Sequence, residues 1–122
     1  RESVRIALTI AALNDLEILA SNVQNVYITA PNSERIWTIC GVEFGVNAGR
    51  KALIVRALYG LKSAGAAFRN HLASCMNKLG YKSCLADPDV WLRPSVRESD
   101  SHEYYEYVLI YVDDILCILH KP

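Results

Sequence analysis

The stretch YVLIYVDDILCIL, Tyr107 to Leu119, is apolar on both sides of two adjacent acids, Asp113 and Asp114. A hydrophobic strand pair gains nothing from carboxylates at its centre, and burying an unpaired carboxylate is costly. The acids must therefore lie at an exposed turn, be neutralised by a neighbour, or hold a cation. With Val108 to Val112 and Ile115 to Leu119 as paired strands, the intervening acids fall at or beside a tight hairpin turn, which projects both from one edge of a sheet. Asp is common in solvated turns. Use as a metal site demands a third ligand from elsewhere in the chain, because Mg²⁺ takes oxygen donors in near-octahedral geometry.

The rest of the chain bounds what such a hairpin can serve. At 122 residues with 52% apolar content, one compact core is expected, either as a whole domain or as a piece of a larger one. Thirteen basic residues balance thirteen acidic ones, so net charge leaves no electrostatic footprint for nucleic acid. The four cysteines, Cys40, Cys75, Cys84 and Cys117, show no zinc-ligand spacing and are expected to be reduced core residues. The apolar run Ile6 to Leu13 is too short to span a bilayer and lacks a signal-peptide cleavage pattern. An intracellular setting, cytoplasmic or nuclear, without membrane attachment is the expectation.

Glu2 to about Leu16 is predicted helical, with Val4, Ala7, Leu8 and Ala11 at helical spacing. A strand is expected around Ser21 to Ile28, closed by turn chemistry in APNS, residues 30–33. Ile36 to Cys40 and Ala52 to Leu58 read as strands around a loop containing VNAGRK. The clearest helix is Ala64 to Leu79. It sets Phe68, Leu72, Cys75, Met76 and Leu79 on one face and Arg69, Asn70, Asn77 and Lys78 on the other, with Ser63 able to cap its start and Gly80 its end. ADPDV, Ala86 to Val90, is a turn signal, and Arg93 to Glu103 reads as a polar surface loop. Helix, strands, helix and hairpin are expected to form a single α+β layer.

Taken together, YVDD within hydrophobic flanks, RALYGLKSAGAAF at Arg56 to Phe68, ADPDVWLR at Ala86 to Arg93, and NVQNVYITAP at Asn22 to Pro31 resemble the palm of copia-type long-terminal-repeat retrotransposon reverse transcriptases. These segments agree with that family in order and approximate spacing over nearly the whole chain. The resemblance implies a reverse-transcriptase-like palm, an antiparallel sheet packed on helices, and RNA-directed DNA polymerisation by two metal ions, Mg²⁺ or Mn²⁺. It also implies an RNA or DNA template–primer and deoxynucleotides as partners of the intact enzyme. By the family pattern, Asp113 would be a metal ligand, Asp114 a neighbouring catalytic acid shaping the site, and the Val23 carbonyl a minor ligand. Tyr27 would pack under the nucleotide sugar, and Tyr59, Gly60 and Lys62 would face nucleotide or template.

One position departs from the pattern. The first motif should open with aspartate, and this chain has Asn22. An amide oxygen is a weaker, neutral ligand, and its NH₂ end donates hydrogen bonds that a cation repels. The chain also stops at His120-Lys121-Pro122, just past the hairpin. Residues 1–122 are therefore expected to be a single partial domain, a palm with little of the fingers and no thumb, integrase or ribonuclease H, inactive in polymerisation as this chain. The alternative is a non-catalytic interaction module that keeps the palm fold, with self-association through exposed palm surface. A structural metal domain built on Asp113 and Asp114 is the third reading, against which the lack of a third nearby carboxylate counts.

Overall fold

In the computed structural model, which describes residues 2–121, helix α1 spans Glu2–Leu13. It stops short of Leu16 because Asp15 takes a left-handed conformation, φ 53°, and the Leu16 N–H turns back onto the Ala11 carbonyl. Strands β1 (Glu17–Asn22), β2 (Pro31–Ile39) and β3 (Lys51–Arg56) follow, then helix α2 (Ala64–Lys78) and strands β4 (Lys82–Ser83), β5 (Val90–Arg97), β6 (His102–Tyr111) and β7 (Asp114–Leu119). All strand pairs are antiparallel. They form a five-stranded sheet in the order β1-β7-β6-β5-β4 and a two-stranded sheet of β2 and β3, where the sequence had pointed to one layer. The chain divides into two compact units, residues 1–24 with 74–122 and residues 25–73, so that the boundary falls within α2.

The first unit is built on the five-stranded sheet. Ala7 and Ala11 of α1 are buried against Leu109 and Ile118, with Val4, Leu16, Val90, Tyr107 and Leu116 packed around them. Two alanines on the inner face let the helix axis approach the sheet closely. Leu8, expected inside, is turned outward. The segment expected as a polar loop, Arg93 to Glu103, is instead mostly paired strand, Pro94 opposite Tyr105 and Arg97 opposite His102. Pro94 is tolerated because β4 reaches only Leu92 and Trp91, which leaves β5 without a second neighbour beyond them. Asp100 closes that hairpin. It accepts the His102 N–H and the Arg97 side chain, which together hold its carboxyl below the usual range.

Helix α2 ends in a Schellman turn, with the Tyr81 N–H on the Met76 carbonyl, the Gly80 N–H on Asn77, and Gly80 at φ 85°. A second lock sits beside it. Arg93 donates to the Leu79 carbonyl at 2.9 Å and to Glu106 Oε2 through Nε at 2.8 Å, and its guanidinium lies 4.5 Å from the centre of the Tyr81 ring. The Tyr81 hydroxyl donates to the same carboxylate oxygen at 2.8 Å. Glu106 is only 5% exposed, and a carboxylate so buried persists because these donors surround it. Of the face expected to be inside, Phe68 and Met76 are buried and Leu72 is half-buried, whereas Cys75 and Leu79 are exposed. Among the cysteines only Cys40 is buried, Cys84 and Cys117 being half-buried. Burial still pushes the Cys117 thiol up.

In the second unit β2 pairs with β3 from Ile36 opposite Ile54 to Ile39 opposite Lys51, and again at Pro31 opposite Arg56. The expected strand over Ser21 to Ile28 ends at Asn22 and gives way to a 3₁₀ turn, Val26–Thr29, entered through left-handed Asn25. The APNS segment opens a strand where the sequence had pointed to its end. Pro31 is the first strand residue, where a missing N–H is harmless, and Asn32 bridges the carbonyls of Glu34 and Ile54 across an irregular register. Val26, Ala30 and Ala57 are fully buried there. Ser63 takes the cap position of α2, its carbonyl accepting the Ala67 N–H, but its hydroxyl donates to Glu34.

Two outcomes test this packing. Leu109→Ala should cost about 2–5 kcal/mol in chemical denaturation, whereas Leu79→Ala should cost no more than about 0.5 kcal/mol. The Tyr81 phenol is pushed from 10.0 to about 12, first by burial and then by the Glu106 carboxylate that accepts its proton. A group whose folded value is raised stabilises below its unfolded value and loses that contribution as pH climbs toward the folded one. Denaturation midpoints should therefore fall more steeply between pH 10 and about 12 in the chain than in Tyr81→Phe.

Candidate functional site

The turn end of the β6–β7 hairpin carries the two acids. Tyr111 pairs with Asp114, leaving Val112 and Asp113 as a two-residue loop, with Asp113 half-buried and Asp114 exposed. Tight hairpin loops need positive φ at the first loop position, usually supplied by Gly or Asn. Here it is Val112, at φ 53°. A β-branched residue in that region is strained by about 1–3 kcal/mol. Nothing in the residue types marked this strain beforehand.

Strand β1 runs beside β7 with Asn22 directly opposite Asp114. The Asn22 amide donates through Nδ2 to Asp114 Oδ1 at 3.1 Å, joining side chains 92 positions apart. One residue on, the Val23 N–H donates to the main-chain oxygen of Asp113 at 2.7 Å. The sequence-predicted metal-side residues Asn22, Val23, Asp113 and Asp114 are thus gathered at one sheet end. Val23 meets the turn through its N–H.

The residues expected on the nucleotide side lie in the second unit. Tyr27 and Tyr59 are in ring contact, 4.6 Å between centroids, and Tyr27 also meets Phe68 edge-on at 6.2 Å. Offset and edge contacts of this kind suit the aromatic quadrupole. Gly60 has φ 92°, which explains a glycine directly after Tyr59, and Lys62 is exposed. The Phe68 contact to Tyr27 was not foreseen; helical periodicity marks Phe68 as buried without saying against what.

With this geometry in view, the chain is 30% identical over 119 residues to the retrovirus-related Pol polyprotein from transposon TNT 1-94 of Nicotiana tabacum. The likeness supports a retrotransposon origin. It takes in 95% of this chain and 8% of that polyprotein, so the chain spans under a tenth of its relative's length. No protein-family model and no solved structure matches the chain.

The donors at the hairpin end do not fit a pair of divalent ions. Asn22 turns its NH₂ toward Asp114, since the opposite flip would set an amide oxygen against a carboxylate oxygen. The position where a third anionic ligand is needed thus presents hydrogen-bond donors. Among the described residues no group of three His, Cys, Asp or Glu comes together to hold a metal. No helix among them is long and apolar enough to cross a membrane. Missed by sequence reasoning was the Tyr81–Arg93–Glu106 cluster, for which strand alternation held a signal: Glu106 shares a face with Val108 and Ile110, both buried. Relieving the strained turn gives the test of its geometry. Val112→Gly should raise stability by about 1 kcal/mol, the relief of left-handed strain exceeding glycine's extra chain entropy, measured as a higher denaturation midpoint at unchanged slope.

Proposed function

We propose that the chain is a palm segment of a copia-type reverse transcriptase, by descent an RNA-directed DNA polymerase, whose nucleotidyl-transfer site has lost its first carboxylate at Asn22. The observation that carries this reading is the meeting of Asn22 with Asp114 and of Val23 with Asp113 at the turn end of the β6–β7 hairpin. Two segments far apart in sequence, each matching one acidic motif of that family, converge on one sheet end. In such enzymes two ions stabilise the attacking and leaving oxygens of an in-line displacement. Here Asp113 and Asp114 keep two of the anionic groups, and the amide at position 22 disfavours the ions. Tyr27, Tyr59, Gly60 and Lys62 are the residues of this chain proposed for the nucleotide side, and Mg²⁺ or Mn²⁺ the ions of the ancestral reaction.

A second reading, a protein-interaction module that keeps the fold, is favoured by one feature of the second unit. Trp37, Ile39 and Val55 share a face of the β2–β3 ribbon and are each more than half exposed. Grafting separates the two readings: residues 2–121 would replace the matching segment of an active copia-type reverse transcriptase, with folding checked by circular dichroism. The graft should make no DNA on an RNA template, and Asn22→Asp in the graft should raise primer extension by roughly two orders of magnitude or more, the scale of restoring one charged group at a reacting centre. A folded Asn22→Asp graft that stays inert would overturn the polymerase reading.

A further inference from the structure

Strand β1 is the edge of its sheet, and all six of its residues are exposed. Only its pairing with β7 holds it in the sheet, and that ladder ends where Asn22 faces Asp114. The last main-chain contact beyond it is the Val23 N–H on the oxygen of Asp113, in a turn strained at Val112. A carboxylate at position 22 would stand directly across from Asp114, with Asp113 adjacent. Facing like charges on paired strands repel, so such a sheet end is weakened unless a cation between them offsets the repulsion. The amide removes that repulsion, because its NH₂ supplies a donor to Asp114 with no net charge of its own.

We infer that Asn22 acts in place of a cation, as a metal-independent clasp that closes β1 onto Asp114, beside the Val112–Asp113 turn. The inference rests on the palm reading only in treating this sheet end as a former carboxylate site. What was an ion-holding cluster has become a strand-locking contact, so the sheet end no longer depends on divalent ions for its closure. The charge balance is local: one amide donor, one acceptor carboxylate, and Asp113 bound through its main chain.

The test is thermal unfolding of four proteins, each in EDTA and in Mn²⁺: the chain as written, Asn22→Asp, Asp114→Asn, and the exchange variant carrying both changes. The chain as written should melt at the same temperature in both conditions. Asn22→Asp should melt about 5 °C or more lower in EDTA, the shift expected of a modest destabilisation in a domain this small, and should recover in Mn²⁺. A variant that folds only with Mn²⁺ present carries the same meaning. The exchange variant puts the amide on the opposite strand, so it should regain stability in EDTA and lose the Mn²⁺ response. Asp114→Asn should likewise be indifferent to Mn²⁺. Stabilisation of the chain as written by Mn²⁺, or an Asn22→Asp protein as stable in EDTA as its parent, would overturn the clasp. Failure of the graft with a sound clasp would instead count against the polymerase reading alone.

Discussion

The pairing of β1 with β7 is the constraint on which the first unit turns, because it joins the chain's beginning to its end. It brings Asn22 to Asp114 across 92 positions and seats α1 over Leu109 and Ile118. Closing so long a loop has an entropic cost that local contacts cannot offset. Apolar burial under α1 supplies the compensation, and the ladder from Glu17 opposite Leu119 to Asn22 opposite Asp114 sets the register. A slip by one residue would turn Ile118 from the core to the other face. It would also part the amide from its carboxylate.

Acidic groups in this unit meet two environments and find two solutions. Glu106 is buried and accepts hydrogen bonds from Arg93 and Tyr81, a cluster that also ties the carbonyl just past α2 to the sheet. Replacing one member leaves a buried charge uncompensated, which is why such clusters are sensitive to single changes. Asp114 is exposed and needs only an amide and water. Its importance is positional: it stands where the edge strand, the strained turn and the hairpin meet.

The retrotransposon likeness and the geometry bear on different parts of the proposal. A 30% identity over 95% of the chain makes it similar to a small part of a retrotransposon Pol polyprotein, while the meeting of residues 22, 23, 113 and 114 supports the finer polymerase proposal. In the proposed reading, the asparagine at position 22 separates ancestry from present chemistry. An amide keeps the shape of aspartate and reverses what its second atom offers, from acceptor to donor.

Much of this was legible in the residues themselves. Apolar flanks around two acids pointed to a hairpin with the acids at or beside its turn, which falls one residue earlier, at Val112 and Asp113, and the helix over 64–78, with glycine past its end, follows from spacing and from the freedom of Gly80. The departure at Asn22 was likewise visible, because the side chain's chemistry does not depend on its surroundings. Other features depended on partners distant in sequence. APNS carries turn residues, yet Pro31 starts a strand because β3 is there to pair with it, and Pro94 sits in β5 because β4 stops short of it. Cys75 falls on the apolar face of α2 by spacing yet lies exposed, and Leu79, one residue past the helix end, is exposed as well. The sequence alone determined which residues could be hairpin, helix and acid; only the tertiary structure decided that Asn22 donates to Asp114 and that Glu106 is buried with its charge, because both depend on which strand lies opposite, and strand pairing is a property of the whole chain.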